Sequence, residues 1–229
     1  MPLLLIETST ERSIVGIVEK GKIFFEKQLP LGLNHTHDLA PTLVKGLQEL
    51  GMTIAEMDGI GVGIGPGSYT GIRVGAIFAK SLAFGAGIPL IGISTLECFV
   101  PSSEGAFLIL LDAKISGVYY AVGHYENGKG VLTALPQVAS LEQIGAIIGN
   151  FPLIVTPKAK SLQIKLGERC PQAVWQELPP SLVQMDTVVD NKLKAGFYTR
   201  DGTLELLYLR KTQAEIEKEE KQKFDEGIL

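Results

Sequence analysis

Two acids in this chain stand where apolar runs end. Glu7 follows Leu3–Ile6 and leads into Thr8, Ser9 and Thr10; Asp112 follows Ala106–Leu111 and leads into Ala113-Lys114-Ile115-Ser116. An acid at the end of a buried strand, beside hydroxyls and free amides, can hold Mg²⁺ or orient water against a phosphate. Glu7, Thr8, Ser9, Thr10 and Asp112 are therefore the candidate nucleotide-binding set. The alternative is that Thr8–Thr10 simply satisfy their own turn. No glycine follows Asp112 closely, and no Gly-Gly pair late in the chain offers a seat for an adenine ring.

A second candidate is the glycine-rich stretch Gly61–Gly75. It lacks the Gly-Lys-Ser/Thr ending of a Walker loop, and Ser68 stands where a dinucleotide fingerprint needs its third glycine. An anion held at the following helix N-terminus and a plain tight turn both remain open. Ser68 does not have the G-x-S-x-G spacing of a hydrolase elbow. His35-Thr36-His37-Asp38 offers metal donors two apart, a spacing that does not share a helix face. His124 falls on an expected strand and is assigned no ligand partner. Cys98 and Cys170 stand far apart, in no metal spacing, and read as buried thiols of a reducing compartment. No catalytic residue and no metal ligand is assigned.

These residues need elements to position them. Leu3–Ile6 reads as a central strand, Ser13–Glu19 and Lys22–Leu29 as a hairpin, and Pro30–His37 as a loop. Asp38–Leu50 is an amphipathic helix, Met57–Ile64 a strand, Gly71–Gly87 a long helix, Pro89–Ile93 a strand and Thr95–Phe99 a short helix. After Pro101–Gly105 the plan restarts. Strands are expected at Ala106–Leu111, Gly117–Tyr125 and Gly130–Val138, a capped helix at Ser140–Ile148, a strand at Leu153–Thr156 and a helix at Ala159–Leu166. Ser181–Lys194 reads as a helix, Glu205–Leu209 as a strand, and Thr212–Glu226 as a solvated or frayed helix. The expected fold is thus α/β: two actin-like (ribonuclease H-like) domains, residues 1–100 and 101–229, each a mixed sheet with a three-strand meander plus helices. This is the plan of the actin, hexokinase and heat-shock-chaperone ATPases.

The long helix is apolar nearly all round, which asks for partners on more than one side. Gly71, Gly75, Ala79 and Ala83 recur at i+4 steps as a small-residue groove. With the first helix they define an expected partner interface: Asp38, Leu39, Thr42, Leu43, Gly71, Ile72, Val74, Gly75, Ala76, Ala79 and Ala83. Arg73 and Lys80 interrupt the helix as a membrane span. A net charge of −4 argues against an unaided grip on nucleic acid. The start Met1–Glu7 has no basic n-region, so no secretion signal is expected and the protein is placed in the cytoplasm.

Leu5-Ile6-Glu7-Thr8-Ser9-Thr10, Gly65–Gly75, Gly92-Ile93-Ser94-Thr95-Leu96-Glu97 and Tyr208-Leu209-Arg210 together resemble the TsaB (YeaZ) family. The likeness is good over residues 1–125 and thin beyond. It implies a non-catalytic subunit needed to threonylcarbamoylate adenosine 37 of tRNAs that read codons beginning with A. It implies dimerisation with a catalytic transferase paralogue, an ATPase subunit in the same complex, and a homodimer when alone. It implies no cofactor for this chain alone, ATP and metal belonging to the partners. The family carries Asp where Glu7 stands, and Asp-Ala-Arg where Asp112-Ala113-Lys114 stands. The rival function is an actin-fold ATPase or kinase working between Glu7 and Asp112; a metallopeptidase is a third class.

Overall fold

The computed structural model describes residues 2–29, 35–114, 117–166, 169 and 171–209. The first sheet is built from β1 (Leu3–Glu7), β2 (Ile14–Glu19), β3 (Lys22–Gln28), β4 (Gly59–Gly63) and β5 (Leu90–Ile93), in the order β3-β2-β1-β4-β5. The meander β1-β2-β3 is antiparallel, and β4 and β5 join parallel to β1. The second sheet contains β6 (Gly105–Asp112), β7 (Val118–Glu126), β8 (Lys129–Leu132), β9 (Gln137–Ala139), β10 (Leu153–Thr156) and β11 (Val174–Glu177). Its order is β11-β10-β6-β7-β8, with β9 also paired to β7. Read from the meander edge, both sheets run third, second and first strand, then two parallel strands. The fold class is the expected one: two mixed actin-like sheets in one α/β chain.

The helices are α1 (His35–Leu50), α2 (Tyr69–Ala86), α3 (Leu141–Ile147), α4 (Ala159–Leu166) and α5 (Leu182–Lys194). Alternation along β1 decides the layers. Leu4 and Ile6 face α1 and α2, together with Leu39, Leu43, Ala79 and Ala83. Leu3 and Leu5 face the opposite way, into a core shared with Phe107, Ile109, Leu182, Met185 and Val189. A third core, with Leu108, Leu110, Ile154 and Leu162, lies on the far side of the second sheet. The middle layer is α5, which packs on β1, β2 and β5 although it follows β11 in sequence. Ser181 N, at its N-cap, donates to Cys98 O at 2.7 Å.

Several expected boundaries move. The span Gly130–Val138 divides into β8 and β9, with Pro136, which has no N–H to give a ladder, between them. The helix expected from Asp38 begins at His35, and β11 was not read from the sequence. Glu205–Leu209 forms no strand. It runs beside the end of β4, held by Leu207 N donating to Ile64 O at 2.8 Å, without a ladder of its own. The side chains of His35 and His37, all of Cys170 and the expected helix Thr212–Glu226 lie outside the described residues.

Candidate functional site

The four stretches that carry the family likeness meet at the C-terminal ends of β1, β4 and β5. Glu7 ends β1 fully buried. Its Oε1 accepts from Ser9 N at 2.5 Å and is hydrogen-bonded to Ser9 Oγ at 2.6 Å; its Oε2 is hydrogen-bonded to Thr95 Oγ1 at 2.9 Å and faces Cys98 Sγ at 4.0 Å. Thr95 and Cys98 sit on the one-turn 3-10 helix after β5. Across β4, a Cβ added to Gly63 would overlap the Glu7 carboxylate. Burial pushes that carboxyl above the ordinary glutamate range, against hydrogen bonds from Ser9 and Thr95 that act the other way. Burial also pushes the Cys98 thiol well up.

The glycine-rich turn closes over this acid. Ser68 N donates to Ser9 O at 2.7 Å, Thr95 N to Gly65 O at 2.8 Å, and Thr8 Oγ1 to Gly71 O at 2.8 Å. Ser68 is also the N-cap of α2, accepting from Gly71 N at 3.3 Å. Amides and hydroxyls that a phosphate would use are thus turned onto the chain itself. Beside the turn, Arg73 lies over the Tyr69 ring at 3.9 Å and donates from Nε to Tyr208 Oη at 3.1 Å. The two tyrosine rings are 5.0 Å apart. This cluster ties the last described residues to the start of α2; Arg210 lies outside the described residues.

Asp112 is elsewhere and differently occupied. Both its oxygens face Lys165 Nζ at 3.1 Å, and Oδ1 accepts from Lys114 N at 2.8 Å. Among the described residues no hydrogen bond or ion pair joins Asp112 to Glu7. Between the two halves, Arg12 donates from Nε to Pro157 O at 2.8 Å and from Nη2 to Glu177 at 2.5 Å, while Lys114 lies 3.7 Å from Glu11. The candidate nucleotide set is therefore split. Glu7, Thr8 and Ser9 belong to a sealed turn, Thr10 is buried just after them, and Asp112 belongs to an ion pair at the end of β6. A cavity of about 270 Å³ lies between α5 and the second sheet, floored by Phe99 and Phe107 and edged by Glu97 and Lys192. Neither acid lines it.

The expected partner interface needs a correction. On α2, Gly71, Ile72, Gly75, Ala76, Ala79 and Ala83 are buried inside this chain. A Cβ on Gly71 would overlap Thr8 O, and one on Gly75 would overlap Thr8 Oγ1. The small residues thus let α2 lie close on the first turn of its own sheet. On α1, Leu39 and Leu43 are buried too and Asp38 and Thr42 are half-buried, as is Val74 of α2. What faces outward is a different stripe: Arg73, Ile77, Lys80 and Phe84, with Ile77 65% and Phe84 73% exposed. Val44 of α1 is also 52% exposed. The i, i+4, i+7, i+11 spacing of that stripe was readable in the sequence, because those positions share a face. The Arg73–Tyr69–Tyr208 cluster had no comparable signal, since 135 residues separate Arg73 from Tyr208.

Two mixed sheets of matching strand order, with helices between and outside them, define a protein of the actin-like ATPase fold. Known proteins agree. The family model for TsaD, tRNA N6-adenosine threonylcarbamoyltransferase, matches residues 32–188. The chain is 33% identical over 129 residues to the TsaB tRNA threonylcarbamoyladenosine biosynthesis protein of Haemophilus influenzae, covering 53% of each. It is 33% identical over 126 residues to that of Escherichia coli, covering 53% of this chain and 54% of the other. The chain spans about half the length of the curated relatives it matches. The solved structure of YeaZ from Pseudomonas aeruginosa superposes with a TM-score of 0.76 at 22% identity, over 91% of this chain and 99% of that one. The chain belongs to the TsaD-type family, as a member of its TsaB (YeaZ) line.

Proposed function

We infer that this chain serves tRNA threonylcarbamoylation as a non-catalytic subunit, docking through the outer face of α2 onto a TsaD-type transferase paralogue. The observation that carries the reading is the pair Ile77 and Phe84, large apolar side chains left in solvent on an 18-residue helix whose other face is already packed. Exposed apolar groups on a rigid element are the usual anchors of an interface. Arg73 and Lys80 flank them, so the facing surface should be apolar with acidic neighbours. The role of the Haemophilus influenzae and Escherichia coli relatives in threonylcarbamoyladenosine biosynthesis supports this reading. So does the sealed turn around Glu7, in which Thr8, Ser9 and Thr95 are bonded to the chain itself.

In this reading the modified base is adenosine 37, and residues 1–100 carry the partner-binding helices. Residues 101–229 form the second half, which α5 fastens to the first. ATP and metal are handled by the transferase and by an ATPase subunit of the same complex. Alone, the same outer face pairs two copies, and the work is done in the cytoplasm without a direct tRNA grip by this chain. Among the described residues no helix is long and apolar enough to cross a membrane.

The test is the double variant Ile77→Glu, Phe84→Glu. Both side chains lie outside the monomer's cores, so the melting temperature should hold. Affinity for the TsaD-type transferase should fall by roughly 30-fold or more, the equivalent of about 2 kcal/mol at an interface anchor. Threonylcarbamoyladenosine in the tRNA of cells carrying only this variant should fall with it. Unchanged association in pull-down and titration would place the docking surface elsewhere.

A further inference from the structure

The cage around Glu7 contains more short oxygen contacts than an ionised acid can supply with protons. Ser9 Oγ lies 2.6 Å from Glu7 Oε1, Thr95 Oγ1 lies 2.9 Å from Glu7 Oε2, and the two hydroxyl oxygens lie 2.7 Å from each other. Three such contacts close a ring through the carboxyl group. Each needs one proton between its oxygens, and a hydroxyl has one proton to donate. Ser9 and Thr95 together bring two. With a carboxylate, both protons point at Glu7, and the hydroxyl pair is left as two lone-pair oxygens in contact. With a carboxylic acid the count closes: Glu7 donates to one hydroxyl, that hydroxyl to the other, and the second back to the free carboxyl oxygen.

The surroundings agree with the count. Glu7 is fully buried, and among the described residues no ion pair involves it. The titratable group that faces it is the Cys98 thiol, from the 3-10 turn. Glu97 is next along that turn, and the α5 cation Lys192 is engaged by Glu97 at 3.6 Å and by Gly92 O at 3.0 Å. β4 offers only Gly63 against the carboxyl. An unpaired charge in such a place costs several kcal/mol, and proteins avoid it by keeping the group neutral.

We propose that Glu7 is a neutral carboxylic acid at physiological pH, and that its proton completes a hydrogen-bond ring welding the turn after β1 to the 3-10 turn after β5. The ring does not depend on the docking role proposed above. Its consequence for pH is definite in sign. An acid whose folded-state pKa is raised binds its proton more tightly in the folded protein. Its contribution is complete in acid and declines as pH rises from the ordinary glutamate range through the folded value. Glu7→Gln should fit the ring, since its amide can donate to one hydroxyl while its oxygen accepts from the other, and should abolish that decline.

The direct measurement is the infrared difference spectrum of the full chain, wild type minus Glu7→Gln, at pH 7. A protonated carboxyl C=O band present only in the wild type supports the ring; carboxylate bands in its place overturn it. Should Glu7→Gln fail to fold, ¹³C-glutamate labelling of the wild type decides. One carboxyl resonance still at its protonated position at pH 7 supports the proposal. All glutamate resonances at the ionised position refute it.

Discussion

Glu7 and Asp112 close the first strands of two sheets that share one strand order, yet they live in opposite surroundings. Glu7 is shut in by two hydroxyls, a thiol and a strand glycine, with no ion pair among the described residues. Asp112 ends the central strand of its sheet with Lys165 against both oxygens and a backbone amide behind it. The equivalence of the strands is real; the equivalence of their acids is not. Position in a fold brings a side chain to a place, and the neighbours at that place decide its charge. In the first half the neighbours are the glycine-rich turn and the chain after β5, which bury the acid fully. In the second half the neighbour is Lys165, a cation from α4.

The contrast can be broken hardest at Gly63. Gly63→Ala forces a methyl into the Glu7 carboxyl, flanked by β1 and the 3-10 turn, and should cost about 3 kcal/mol or more. Urea denaturation should show a lower midpoint or loss of soluble protein; a midpoint like wild type would mean the cage is loose. Asp112→Ala removes a partly exposed ion pair and should cost only about 0.5–1 kcal/mol in the same experiment. A larger loss would make the second acid as structural as the first.

A smaller effect sharpens the comparison through pH. Glu177 is held below the ordinary glutamate range, first by Ala159 N at the start of α4 and then by Arg12. Its contribution is present above that range and is lost as pH falls through the depressed value, opposite in sign to that of Glu7. Glu177→Gln should therefore flatten the acid side of the stability profile by a few tenths of a kcal/mol, its carboxylate being largely solvated. Thermal melts between pH 3 and 6 read the difference; an unchanged acid limb would remove the Arg12–Glu177 tie from the account.

Much of the scaffold was legible because short-range patterns make it. Leu153–Thr156 and Ala159–Leu166 form at the expected residues, and Ser140 with Gln143 makes the expected capping box. The repeated meander was readable from turn residues alone. What was hidden depends on distant partners. Gly71 and Gly75 announce that something comes close, but their spacing cannot say that it is Thr8 of the same chain. The likeness to known proteins drew attention to four separate stretches, and only the fold shows them as one knot. The outer stripe of α2 was in view at helical spacing, yet the small residues opposite drew the reading to the face that is buried in this chain. Glu205–Leu209 is rich enough in leucine to suggest a strand, but its neighbour there offers one carbonyl rather than an edge.

The place of α5 also bears on how the protein is made. Leu3, Leu5, Ile14, Ile91 and Ile93 present one side of the first sheet to a layer that includes α5, encoded after the whole second sheet. A nascent chain that has completed β5 therefore leaves the ribosome with that side bare. It stays so until translation supplies its cover, which makes the two sheets a single unit of synthesis.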